Sequence, residues 1–139
     1  MNPSSLALLG YAAWTLLLLG AIAVLRSSLT LSGRRAANQF APAGDDVSPF
    51  SGRLCRAHAN CYESLPAFAC LVLLAVTSGQ SQVTDPLALW ALAARIGQSA
   101  THLVSTSSLA VQVRFAFFLA QLLIQLWWVV GLYRAWTGS

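Results

Sequence analysis

The stretch RAHANCYESLPAF, Arg56–Phe68, opens a long apolar segment and carries Arg56, Asn60 and Glu63 at intervals of four and then three residues. That spacing stacks the three polar side chains on one face of a helix. A charged side chain at membrane depth is costly, so such groups turn toward a cavity, a partner or a subunit seam and mark function. The plain alternative is a structural network, in which Glu63 neutralises an arginine on another helix and Asn60 bonds across the bundle.

The surroundings decide that this is a membrane helix. Of the 139 residues, 57% are hydrophobic and 9% charged, where a soluble domain carries about a quarter charged residues. A helix needs about 20 apolar residues to cross a bilayer core, and the chain accommodates four such spans. They are expected at about residues 6–25, 55–77, 86–105 and 110–133, as a single membrane domain over residues 1–139. The first run has no basic start and no clear small-residue cleavage site, so it reads as a retained span rather than a signal peptide. Pro66 interrupts the second helix and is expected to kink it a turn beyond Glu63. Pro86 suits the first turn of the third helix.

Residues 26–54 form the one long polar connection, with Arg34-Arg35 and a Pro42-Ala43-Gly44-Asp45-Asp46 turn signal. At roughly 28 residues it is long for a link inside a compact bundle, and it reads either as functional or as a floppy linker. Trp127, Trp128, Tyr133 and Trp136 gather near the end of the fourth span, as an interfacial aromatic belt does.

All the positive charge is arginine, without a basic block of the kind that tracks phosphates, so nucleic acid is not an expected partner. Arg26, Arg34, Arg35, Arg53, Arg56 and Arg114 fall on one side of the four spans, and only Arg134 on the other. Arginine excess marks the cytoplasmic face, which puts the long loop in the cytoplasm and both termini outside. A short all-arginine chain suits a bacterial inner membrane, with periplasmic termini. Cys55, Cys61 and Cys70 form no C-x-x-C pair, and neither a disulfide framework nor a metal site is expected.

This topology brings several polar groups to one depth. Arg56, Asn60 and Glu63 enter from the cytoplasmic side. Arg95, Gln98 and His102 share a face of the third span at spacings of three and four, and Arg114 opens the fourth. Glu63 is the only acidic group at that depth, so the arginines leave surplus positive charge. Surplus arginine suits an anionic ligand held by two-pronged contacts to carboxylates. Gln121 and Gln125 read as helix–helix hydrogen bonds instead.

The pattern Arg56-x-x-x-Asn60-x-x-Glu63-x-x-Pro66, opening the second of four spans, resembles the MAPEG family. These are membrane-associated proteins of eicosanoid and glutathione metabolism, among them microsomal glutathione transferases, leukotriene-forming synthases and microsomal prostaglandin E synthases. The resemblance covers essentially the whole chain. It implies a four-helix all-α integral membrane protein assembled as a homotrimer in membrane lipid, with glutathione between adjacent subunits as cosubstrate. Arg56, Asn60 and Glu63 would hold the glutathione backbone and its charged ends. Arg95, Gln98 and His102 would line the same pocket, and His58 with Arg34 or Arg35 would reach it from a neighbouring subunit. Arg114 would be catalytic, stabilising the glutathione thiolate for attack on a lipophilic electrophile, in a transferase or peroxidase reaction. Gln98, His102, Ser64 and the phenylalanines after Arg114 stand where family members often carry tyrosine. They keep open a second class, a non-catalytic binding or scaffold protein on the same fold.

Overall fold

In a computed structural model, residues 1–138 are described, and among them the chain forms four helices and no strand. These are α1 (Pro3–Leu31), α2 (Pro49–Thr77), α3 (Ser81–Val104) and α4 (Ser108–Thr137). α1, α2 and α4 run past the apolar stretches that announce them, because polar residues cap them beyond the hydrophobic run. Asn2 accepts from the Ser5 amide ahead of Pro3. Ser48 accepts from the Ser51 amide ahead of Pro49, and Ser107 accepts from the Ala110 amide. These are N-cap bonds, which satisfy helix amides that would otherwise lack a partner. The polar connection accordingly shrinks from the expected 26–54 to residues 32–48. Pro86 lies inside α3, which starts at Ser81, rather than opening it.

Three of the helices, α1, α2 and α4, are long and apolar enough to cross a membrane. The third is not, and its burial explains why. Thr84, Arg95, Gln98, Ser99 and His102 lie along α3 and are all buried, so its polar residues face protein. α3 packs against each of the other helices, whereas α1 does not pack on α4 and α2 meets α4 only slightly. Ala7, Ala57, Ala88 and Ala91 are buried in the core, where small residues let backbones approach. Gly97 serves the same end: a Cβ there would fall 2.8 Å from the Phe117 ring. Leu16, Leu17, Val24, Phe115, Leu123 and Trp127 point outward from α1 and α4. Of the expected aromatic belt, Trp127, Tyr133 and Trp136 are exposed, but Trp128 is fully buried, with its ring 5.7 Å from that of Phe68. One residue of helical rotation, about 100°, separates the two adjacent tryptophans.

The connection 32–48 is folded back on α1 and α2. Arg26 donates to the Ala41 carbonyl at 3.0 Å, and both Arg26 and Arg35 lie over the Phe40 ring. Arg35 donates to the Asp46 carboxylate at 2.6 Å, which also accepts from the Ala41 amide. Gly44, at φ +76°, is buried where a Cβ would lie 2.5 Å from Cys55 Sγ and 2.9 Å from the Ser51 carbonyl. Left-handed backbone and close approach both demand glycine there. Gly44→Ala should therefore lower the thermal midpoint, by about 1–3 kcal/mol of stability. The Ala41 amide, and after it Arg35, hold the Asp46 carboxyl below its ordinary range. A depressed carboxyl stabilises the folded loop above its unfolded pKa, and that contribution disappears as pH falls through the lower folded value. Hydrogen exchange at Ala41, corrected for intrinsic rate, should lose protection below about pH 4. It should lose it at neutral pH in Asp46→Ala, which removes the acceptor; full protection in that variant would discard the link.

Candidate functional site

α2, α3 and α4 enclose a column of polar groups. At one end stand Asn60 from α2, His102 from α3 and Arg114 from α4. Asn60 Nδ2 lies 2.7 Å from His102 Nε2, and Arg114 Nη1 is 2.9 Å from Nδ1 and 3.2 Å from Nε2 of the same ring. Arginine has only donors, so the imidazole offers it a lone pair. Asn60 meets the other nitrogen with whichever end of its amide the ring proton requires. Arg114 Nε is buried without a partner. Nearby, Arg53 donates from Nε to the Leu103 carbonyl at 3.0 Å, which ties the start of α2 to the end of α3.

Deeper in, Cys61 Sγ meets Ser99 Oγ at 3.2 Å. Gln121 Nε2 donates to Gln98 Oε1 at 2.8 Å and to the Phe117 carbonyl at 3.0 Å. Below them Arg95, 2% exposed, donates from Nη2 to Ser64 Oγ at 2.8 Å. Its guanidinium carbon is 5.8 Å from the Tyr11 ring centroid, within cation–π range. Tyr11 Oη donates to the Cys61 carbonyl at 2.9 Å. The rings of Phe68, Trp128 and Tyr11 form the floor, with centroids 5.7 and 4.9 Å apart.

The residues marked out by sequence divide into groups. Asn60, His102 and Arg114 come together, and Arg95 and Gln98 lie beneath them in the same column. Arg56 and Glu63 are exposed on α2, and among the described residues neither has a hydrogen-bond or ion-pair partner. Glu63 therefore does not neutralise Arg95, which is held by Ser64 one position further along. His58 faces elsewhere: with Arg26, Cys55 and Tyr62 it lines a cavity of about 270 Å³ between α1 and α2. Arg34 is exposed, and Arg35 is engaged with Asp46. Ser64 and Tyr11 join the column without having been singled out. The signal for Ser64 was its place four residues after Asn60; for Tyr11 it was a lone phenol hydroxyl in an apolar run.

A helical membrane-protein bundle with a buried polar column open at one end is the class these features define. The chain belongs to the MAPEG family, whose model matches residues 4–134. That family includes glutathione transferases, glutathione peroxidases and related proteins. No curated protein and no solved structure matches the chain significantly.

The Gln98–Gln121 pair offers a direct test of how the column holds the bundle. Gln98→Leu strands the Gln121 amide in the interior and should cost about 1–3 kcal/mol. Adding Gln121→Leu removes the stranded group and should recover part of that loss. Thermal unfolding of the two single variants and the double variant measures the coupling; strict additivity would show that the pair does not interact.

Proposed function

We propose that the protein is a glutathione-dependent transferase or peroxidase that acts on lipophilic electrophiles in the membrane. The observation that carries this reading is a set of unanswered charges beside the open end of the column. Arg56 and Glu63 are exposed and unpaired on α2, a helix apolar enough to span a bilayer, and Arg114 keeps a free Nε. Lipid cannot solvate such groups, so a neighbouring copy and a polar ligand are what they require.

Glutathione fits the donor set. A carboxylate suits Arg56, and its ammonium group suits Glu63. When bound, it supplies a thiol whose ionised form attacks electrophilic carbon or a peroxide. Arg114, anchored on His102, presents a fixed cation that favours the thiolate at neutral pH, where a free thiol of pKa about 8.5 is mostly protonated. Arg95 and Gln98 support the pocket from beneath. His58 and Arg34 or Arg35 point away from it within one subunit and serve it from the next in a homotrimer. α3 completes the crossing as the shielded fourth span, with the 32–48 loop cytoplasmic and the termini periplasmic. A recess of about 360 Å³ lined by Thr101, Val104, Ala110 and Val113 lies at the same end of the bundle. Its size and apolar lining suit a small hydrophobic substrate.

Purified protein in detergent should bind glutathione by calorimetry and conjugate a reactive aryl halide. Arg114→Ala should lower turnover by about a hundredfold, the scale of losing one preorganised charge contact, with assembly unchanged. Unaltered turnover in that variant removes the thiolate role. A second reading, a non-catalytic binding protein, draws on the occupied state of His102 and Gln98, which bond to other side chains of the column. An intact trimer that gives no heat with glutathione would decide for it.

A further inference from the structure

Beneath the Arg114 end lies a charge that the bundle leaves unanswered. Arg95 spends Nη2 on Ser64, but among the described residues its Nε and Nη1 are buried with no partner. The sequence has four acidic residues, and none pairs with it. Asp46 is bound to Arg35, Asp45 lies exposed in the same loop, and Asp85 caps the start of α1 through Ser4. Glu63 is exposed on α2. A desolvated guanidinium without counter-charge and with unmade hydrogen bonds is strongly unfavourable.

Next to it is a cavity of about 120 Å³ lined by Ser64, Arg95, Gln121 and Gln125, with Phe118 and Leu122 as apolar walls. Gln121 has committed its amide donor to Gln98 and Phe117. Gln125 has no hydrogen-bond partner among the described residues, so the free donors are its amide and the two nitrogens of Arg95. No carboxylate lines the space. Water would satisfy the N–H groups, since about four waters at bulk volume fill such a cavity, but water leaves the charge uncompensated. A tripeptide is far too large for it.

We propose that this cavity is a binding site for a small monovalent anion, a halide or a one- or two-carbon carboxylate, held by Arg95 Nε and Nη1 with the Gln125 amide. The site is distinct from the Asn60–His102–Arg114 cluster and stands whether or not the protein binds glutathione. The bound anion neutralises Arg95 and completes the interior of the bundle.

The test is thermal unfolding of the full-length protein in lipid nanodiscs, followed by tryptophan fluorescence, in sodium bromide or sodium formate against sodium gluconate at constant sodium. Gluconate is too bulky to enter. The midpoint should rise saturably with bromide, formate or both, and the two arms tell a halide from a carboxylate. Gln125→Leu, which leaves Arg95 in place, should raise the half-saturating concentration about tenfold, the loss of one hydrogen bond to a charge. Crystals soaked in bromide should show an anomalous peak beside Arg95. Equal midpoints in all three salts, a saturation unmoved by Gln125→Leu, or a neighbouring copy's carboxylate seated at Arg95 would each overturn the proposal.

Discussion

Arg95 cannot face lipid, and the architecture follows from that. It sits in the middle of α3 and is accompanied along that helix by Thr84, Gln98, Ser99 and His102, all buried. A helix with this composition gains nothing from the bilayer and must be enclosed by protein. The other three helices do the enclosing. They present alanines, Tyr11, Phe68 and Trp128 inward, and leucines, valines and aromatics outward. In a membrane protein the usual inside-out logic is reversed: polar contacts specify the interior, while apolar surface faces lipid.

The enclosure is uneven, and the unevenness places the chemistry. α2 and α4 barely touch, so the space between them, backed by α3, is filled by side chains instead of close helix packing. At one end the filling is aromatic, with Phe68 against Trp128 and Tyr11, and that end is sealed. Toward the other end it becomes progressively polar, from Arg95 with Ser64, through Gln98 with Gln121, to His102 with Asn60 and Arg114. Every step joins different helices, so each polar contact also fixes the rotation of one helix against another. Loss of a single partner would leave the remaining group buried and short of a hydrogen bond.

Much of this was legible in the sequence, and what was not has a physical cause. Periodicity alone put Arg56, Asn60 and Glu63 on one stripe and Arg95, Gln98 and His102 on another, and hydropathy found the helices. Their ends were misjudged because caps such as Ser48 with Pro49 extend a helix past its apolar run. The plain alternative, in which Glu63 neutralises an arginine on another helix, is not what the bundle holds: Arg95 takes Ser64, one position further along. Neighbouring positions on a helix differ by about 100°, so a stripe read from spacing does not say which of its members turns inward. The same rotation separates buried Trp128 from exposed Trp127. Of the four spans expected, α3 is the one not apolar enough by composition to cross a membrane, because it carries the polar residues that the bundle buries.

The distribution of arginine within one bundle separates two kinds of work. Arg95 is deep, nearly without exposure, and stacked against Tyr11, so its charge is part of the interior and acts on how the helices fit. Arg56 and Arg114 lie toward the open end, where one is exposed and the other keeps a free nitrogen, so their charge is available to something that arrives. A buried cation is expensive unless matched, whereas a partly exposed one in a low-dielectric rim interacts strongly with an incoming anion while still reached by solvent. Polarity thus steepens from the aromatic floor to the Arg114 rim, through side chains that bond from helix to helix.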